Sequence, residues 1–135
     1  MKQLDFKEVQ VVNEKLQAID PQYYASSPQL CYELSIWCGT QRAYIGEQQA
    51  IAKKEWMDKK ASAYLSLIAN SETNQKRVEK YGVAAVKDFI AARCGDAEAR
   101  YEYCVRTTAA LDTMASVLMT VIKKKKNEAY LAGRN

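Results

Sequence analysis

The sequence predicts an all-α fold, a long antiparallel helical hairpin with two shorter helices, that assembles as an oligomer. Its 135 residues include only five Gly and two Pro, too few for a β protein with many turns. Apolar residues recur at helical spacings of three and four along most of the chain, and we find no convincing strand. The length fits one domain spanning residues 1–135, with an N-terminal helix and connector at 1–27 and a hairpin core at 28–133.

The first predicted helix begins at Asp5, which is a suitable N-cap. Glu8 follows three residues later and completes the pattern of a capping box. The Asp20-Pro21 step ends the helix, because proline disfavours helical backbone in the residue before it. The buried stripe of this helix would consist of Val9, Val12, Leu16 and Ile19.

The second predicted helix starts with Ser27 as N-cap and Pro28 at the first helical position, and it runs to about Ala69. Two opposite faces of this helix carry signals for packing, and the small residues of the second face would let another helix approach closely. The first face consists of Leu30, Leu34, Trp37, Gln41, Tyr44, Gln48 and Ile51. The second face consists of Gly39, Ala43, Gly46, Ala50, Met57, Ala61, Tyr64 and Ile68.

A polar turn at residues 70–74 precedes a shorter predicted helix, Gln75–Cys94, which is interrupted near Tyr81-Gly82. Gly95 would end this helix, and Asp96 would cap the last one, which ends near Gly133. Mostly apolar residues of the last helix alternate in spacings of four and three, as in a coiled coil. They are Ala97, Tyr101, Cys104, Thr108, Leu111, Ala115, Leu118 and Ile122.

The segment Thr107–Ile122 contains one charged residue, Asp112. Its apolar residues cover about 200° of the helix circumference, whereas a surface helix needs a stripe of somewhat over about 100°. A chain this short has few elements to cover so broad a face, so we expect a second copy to do so. The predicted oligomer interface consists of Tyr103, Leu111, Met114, Val117, Leu118, Val121 and Ile122.

The composition excludes several classes of enzyme and metal site. The chain has no His, which removes the usual general base and the commonest metal ligand. Its four Cys lack CxxC spacing and are expected to be free, buried thiols in a reducing cytosol. No catalytic or phosphate-binding motif appears, so we predict no enzymatic activity, no cofactor and no metal. The segment Thr107–Ile122 is too short and too Thr-rich for a membrane span, and the N-terminus lacks a signal peptide.

Basic residues form three candidate nucleic-acid-binding clusters. Lysines beside an aromatic ring suit a single strand, because the ring stacks on a base and the ammonium groups neutralise phosphates. The alternatives are that Trp56 belongs to the core, that the lysines are only solvated, and that the last cluster serves solubility and the helix C-terminus. The clusters are Lys53, Lys54, Trp56, Lys59 and Lys60; Lys76, Arg77 and Lys80; and Lys123, Lys124, Lys125 and Lys126.

Several short segments carry a family resemblance. They are Gln48-Gln49-Ala50, Lys53-Lys54, Lys59-Lys60-Ala61 leading to Tyr64, Asp96-Ala97-Glu98-Ala99, Ala110-Leu111-Asp112 and the terminal run Ala129-Tyr130-Leu131-Ala132-Gly133. On these segments, the region Leu30–Gly133 resembles the UvsY-type recombination mediators of tailed phages. The resemblance implies an all-helical ring that binds single-stranded DNA and loads a recombinase onto strands covered by single-strand-binding protein. The family's Lys-Ala-Arg step would fall at Lys60-Ala61-Ser62, where the arginine is missing and Lys59 can substitute in part.

The leading prediction is therefore a non-enzymatic, oligomeric single-stranded DNA-binding protein that assists phage homologous recombination in the cytoplasm of a bacterial host. Its partners would be single-stranded DNA, further copies of the chain and, by the resemblance, a recombinase and a single-strand-binding protein, with no membrane. The alternative is a small phage-encoded helical protein that inhibits or adapts a host protein, such as an anti-defence factor, without nucleic acid. The nine Tyr and two Trp would then serve a protein interface.

Overall fold

The computed structural model describes residues 2–69 and 71–133, with the side chains of 68, 69, 71–78, 80, 81 and 83 left aside. It contains three helices: α1 (Phe6–Gln17), α2 (Pro28–Ala69) and α3 (Ser71–Gly133). The described residues form no strand, and α2 packs against α3. The predicted all-α hairpin is confirmed, whereas assembly into an oligomer stays a prediction.

The start of α1 is fixed by two hydrogen bonds of Asp5. Its carboxylate accepts a hydrogen bond from the backbone N–H of Glu8 at 3.2 Å, which confirms the predicted N-cap. Its own backbone N–H donates to Oε1 of Gln48 in α2 at 2.8 Å, a bond that a capping box would instead make with Glu8. Gln48 is only 6% exposed, so this bond satisfies a buried polar side chain while it ties the beginning of α1 to α2.

The buried stripe of α1 consists of Val9, Val12 and Leu16, as predicted. Ile19, which was also predicted for this stripe, lies beyond the helix and is half-buried, since α1 ends at Gln17.

Helix α2 begins as predicted, since Oγ of Ser27 accepts a hydrogen bond from the backbone N–H of Leu30 at 3.4 Å. Local capping chemistry therefore sets where both helices begin.

Helix α2 runs unbroken through Gly39 and Gly46, but its core face differs from the two predicted faces. The most buried row has a spacing of seven and contains Cys31, Cys38, Ile45 and Ala52, each at most 1% exposed. Packed helices lie only about 8–10 Å apart. Small side chains suit the line of closest approach, and three of the four, Cys31, Cys38 and Ala52, are small. Leu34 and Trp37 lie half-buried beside this row.

Most of the predicted small-residue face of α2 is left uncovered by the described residues. Gly39, Ala43 and Ala50 are exposed, and a Cβ added at Gly39 would meet nothing within 4 Å. Two large residues on the same side of the helix, Tyr32 and Ile36, are 51% and 53% exposed. Close approach of another helix to this face stays a prediction.

Two predicted helix boundaries within α3 are wrong. It is helical from Ser71, so the predicted turn at residues 70–74 is wrong over 71–74. It also continues through Gly95 and Asp96, where one helix was predicted to end and the next to begin. Cys94 and Ala97, on either side of this step, are each 1% exposed. Burial of this face stabilises helical backbone more than one exposed glycine destabilises it.

The predicted interruption near Tyr81-Gly82 is confirmed. Gly82 has φ 78° and ψ −173°, a conformation that is nearly restricted to glycine, and it separates the helical stretch 71–81 from the rest of α3. The predicted coiled-coil row of α3 is confirmed as well. Ala97, Cys104, Thr108, Leu111, Leu118 and Ile122 are buried, and Tyr101 and Ala115 are half-buried.

The chain divides into two compact units. The first unit comprises Met1–Leu4 and Gln49–Tyr103, and the second comprises Asp5–Gln48 and Cys104–Asn135. Buried residues of the first unit include Ala52, Ala63, Leu67, Cys94 and Ala97, and those of the second include Val9, Cys38, Ile45, Leu111 and Leu118. All four cysteines are free and buried, as predicted.

Candidate nucleic-acid interface

The first basic cluster lies on α2 within the first unit. Lys53, Lys54, Lys59 and Lys60 are all exposed, and no ion pair involves any of them among the described residues. Their ammonium groups are therefore available to solvent and to an anionic ligand. Glu55 and Asp58 lie in the same stretch and reduce, without cancelling, its positive charge.

Trp56, the aromatic member of this cluster, is already engaged. Its ring stacks on that of Tyr101 from α3, with centroids 5.5 Å apart and an interplanar angle of 24°. Nζ of Lys60 lies 5.6 Å from the centroid of the Trp56 ring, which is within the range of a cation–π interaction. The stacked pair joins α2 to α3, so one face of Trp56 is closed to a base. The alternative role of Trp56 as a packing residue has the better support.

An apolar groove lies beside the stacked pair, within the same unit. It has a volume of about 320 Å³ and is lined by Met57, Lys60, Ala61 and Tyr64 of α2 and Ile90 of α3. Tyr64 is 51% exposed and Met57 is 41% exposed. Tyr64 was predicted to lie on a packing face of α2, and its position in this groove was not predicted. The spacing of four between Lys60 and Tyr64, which puts both on one side of a helix, was the available signal.

The other two basic clusters lie on α3, at residues 76–80 and 123–126. The side chains of Lys76, Arg77 and Lys80 lie outside the described residues. In the second unit, Lys123, Lys124 and Lys126 are exposed, whereas Lys125 is half-buried and its Nζ lies 3.5 Å from Oε2 of Glu128. The last cluster therefore presents three ammonium groups without a recorded carboxylate partner in the described part of the chain, and a fourth that is paired.

Positive charge is unevenly distributed along the chain. Residues 5–48 contain three Lys or Arg and six Asp or Glu, although the whole chain carries a net charge of +4. The excess of positive charge is therefore carried by residues outside 5–48, which include all three predicted clusters. A polyanion would be attracted to those segments and repelled by α1 and the first part of α2.

The predicted oligomer interface needs a correction. Leu111, Leu118 and Ile122 are 0%, 0% and 6% exposed within one chain, so they belong to the intramolecular core and offer no surface to a second copy. The predicted interface was too broad because part of the apolar run Thr107–Ile122 is buried in the core of the chain itself, and only the remaining part is accessible. Tyr103, Met114 and Val121 are half-buried and Val117 is 40% exposed, so these four retain accessible surface.

Two of these four residues, Val117 and Val121, line a shallow groove along α3 in the second unit. It has a volume of about 480 Å³ and is lined by Asp112, Thr113, Ser116, Val117, Thr120 and Val121. At its edge, Oδ1 of Asp112 lies 3.2 Å from Nε of Arg42 in α2, and both side chains are about half exposed. Asp112, the one charge in the apolar run, is therefore paired across the hairpin.

Two further properties bear on what the chain can bind. Within the described residues, no group of three or more Cys, Asp or Glu side chains could hold a metal ion.

The helical stretch Ala84–Gly133 is long and apolar enough to cross a membrane by length and composition alone, a test that core helices of soluble proteins also pass. The cytoplasmic location therefore stays a prediction.

Comparison with protein-family models, curated proteins and solved structures finds no match for this chain. The resemblance to UvsY-type mediators stays a prediction from the sequence.

Proposed function

We propose that this chain is a non-enzymatic, oligomeric single-stranded DNA-binding protein that assists phage homologous recombination. The observation that carries the proposal is the set of four exposed lysines on α2, Lys53, Lys54, Lys59 and Lys60, in a stretch of eight residues. Lys53 and Lys60 are separated by about 10 Å along the helix axis, since each residue rises about 1.5 Å. Lysines that neutralise phosphates release bound counterions, which favours association with a nucleic acid strand.

The preference for a single strand over a duplex is supported by the surroundings of these lysines. Met57 lies within this stretch and Tyr64 follows one turn after it, and both side chains are about half exposed. The bases of a single strand are accessible and can stack on such side chains, whereas a duplex presents its stacked bases only at their edges.

Association of copies, the second part of the proposal, is supported by exposed apolar surface. Tyr32, Ile36 and Val117 are between 40% and 53% exposed, and surface of this kind marks interaction sites when it is contiguous. The role in recombinase loading depends on the sequence resemblance.

Fluorescence anisotropy of a labelled oligodeoxythymidine across a salt series tests strand binding. The chain should bind at low salt, and affinity should fall steeply as salt rises, with a log–log slope of about −0.7 for each phosphate contact. The double variant Lys53→Ala with Lys60→Ala should bind more weakly and with a slope smaller in magnitude by about 1.4.

Removal of two exposed lysines from α1, Lys7→Ala with Lys15→Ala, is the matched control and should leave affinity nearly unchanged. Absence of binding at low salt would refute strand binding. Equal weakening in both double variants would assign binding to net charge and exclude a role for the α2 cluster. Light scattering with and without the oligonucleotide tests the second part of the proposal, which a stable monomer in both conditions would refute.

A second candidate function is recognition of a host protein without nucleic acid. The observation that favours it is the exposed apolar face of α2, where Tyr32 and Ile36 lie beside small residues. Capture of one defined protein from nuclease-treated host lysate, lost on Ile36→Glu but kept on Gln10→Glu, which adds the same charge at an exposed position of α1, would support this function. The same pair of variants should leave oligonucleotide binding unchanged if the two functions use different surfaces.

A further inference from the structure

We infer that the apolar groove of the first unit binds nucleobases of a single strand, with Tyr64 as the stacking side chain and Lys60 placed to contact the adjoining phosphate. This inference rests on the proposed function and assigns a site for it. It moves the role of the stacking aromatic from Trp56, the residue that the sequence suggested, to Tyr64.

The two aromatic residues differ in what they offer to a base. Trp56 is half-buried and stacks on Tyr101 at 5.5 Å, so one of its faces is occupied. Tyr64 is 51% exposed and lines an open groove together with Met57, Ala61 and Ile90. A base that enters the groove can stack on the tyrosine ring and contact the apolar side chains. This contact removes apolar surface of the base, the ring and the side chains from water.

The charge at the groove identifies the occupant. Lys60 is the one charged residue in the described lining, and Lys53 lies two turns before it on the same side of α2. An occupant with an apolar, flat part and a neighbouring negative charge satisfies both features, as a nucleotide in a strand does. An apolar helix of a partner protein would instead enclose the Lys60 ammonium without a counter-charge, which is energetically costly.

The position of Lys60 links the groove to the basic cluster. Its ammonium lies 5.6 Å from the Trp56 ring, and its side chain also lines the groove. Lys60 therefore belongs both to the basic cluster and to the lining of the groove. A strand that follows the lysines from Lys53 to Lys60 reaches the groove at its next step towards Tyr64.

Affinities for two probes of equal length, an oligodeoxythymidine and an abasic deoxyribose-phosphate oligomer, test the inference. The wild-type chain should bind the thymidine probe more tightly, by roughly 5- to 150-fold for each stacked base. Tyr64→Ala should lose most of this difference and keep the salt dependence, because phosphate contacts remain. Tyr64→Phe should keep the difference, because the ring is retained.

Leu65→Ala is the matched control, since Leu65 is the neighbouring residue, is 63% exposed and does not line the groove. It should behave as the wild type, and circular dichroism should show equal helicity in all variants. Equal wild-type affinity for both probes, or a Tyr64→Ala variant that weakens both equally, would overturn the inference while the proposed function stands. A Tyr64→Ala variant that changes only the oligomer mass would overturn it in favour of a protein interface. Absence of binding to both probes would refute the proposed function itself.

Discussion

Replacement of Gly95 by alanine gives opposite results for the two possible structures of this part of the chain. If Gly95 ended a helix in the left-handed conformation, as the sequence pattern predicted, a Cβ there would destabilise the protein by about 1–2 kcal/mol. In the structure, Gly95 lies inside α3 and no left-handed φ occurs there. Alanine is favoured over glycine in a helix interior by about 0.8–1.0 kcal/mol.

The local packing allows this gain to be realised in full. A Cβ added at Gly95 would meet nothing within 4 Å, so no steric cost offsets the gain in helix propensity. We expect Gly95→Ala to raise the free energy of unfolding by about 0.8–1.0 kcal/mol. For a chain of this size the corresponding rise in Tm is roughly 4 °C.

Urea denaturation followed by far-UV circular dichroism measures this change, with a thermal melt as the second readout. Gly82→Ala is the matched control, because Gly82 has φ 78° and ψ −173° and its Cβ would also meet nothing within 4 Å. Here alanine should lower stability by about 1–3 kcal/mol through backbone strain alone. A loss of stability in Gly95→Ala would refute the continuous α3 and restore the predicted boundary.

Three further predictions concern the core, the cap of α1 and the buried thiols. Leu111→Ala should lower the free energy of unfolding by about 2–5 kcal/mol in urea denaturation, because Leu111 is 0% exposed; a loss below about 1 kcal/mol would contradict its place in the core. Asp5→Ala should cost about 1 kcal/mol and Asp5→Asn much less, because asparagine also caps helices; equal losses would exclude capping as the cause. Burial raises the pKa of the Cys38 and Cys104 thiols, so the unfolded chain ionises first. The urea midpoint should therefore fall as the pH rises above roughly 8.5, and less so in a Cys38→Ala, Cys104→Ala variant; an equal fall in both proteins would show that other groups are responsible.

The start of each helix was predictable because it depends on local chemistry. Asp5 and Ser27 each accept a hydrogen bond from a backbone N–H three residues later. The two partners of such a bond are therefore close in the sequence. The bond from Asp5 N–H to Gln48 was not predictable, since the two residues are 43 positions apart. A sequence pattern favoured Glu8 for that role only because Glu8 was near.

The choice of core face in α2 shows a second limit. Several faces of this helix carry apolar or small residues. One predicted packing face contained large residues such as Leu30 and Trp37. The row that packs contains Cys31, Cys38 and Ala52, which are small, and Ile45, which is as large as Leu30. Which row faces the core depends on how closely α2 can approach its neighbours, and that distance is a property of two helices together.

The candidate site was predicted in part for the same reason. The exposure of Lys53, Lys54, Lys59 and Lys60 follows from their charge, because an unpaired ammonium group is costly to bury. The fate of Trp56 depends on Tyr101, which lies 45 positions away in the chain. An isolated helical pattern cannot distinguish a tryptophan that stacks on a base from one that stacks on a tyrosine.

The sequence by itself therefore determined the helical class, the caps of α1 and α2, the break at Gly82, the coiled-coil row of α3 and the exposure of the four lysines on α2. Each of these depends on the identity of a residue and its near neighbours. Tertiary structure alone decided that α3 continues through Gly95, that Leu111 and Leu118 are core rather than interface, and that Tyr64 and not Trp56 lines an open groove. The physical reason is that burial is shared between elements, and the free energy gained when two helices pack outweighs the preference of any single residue on either of them.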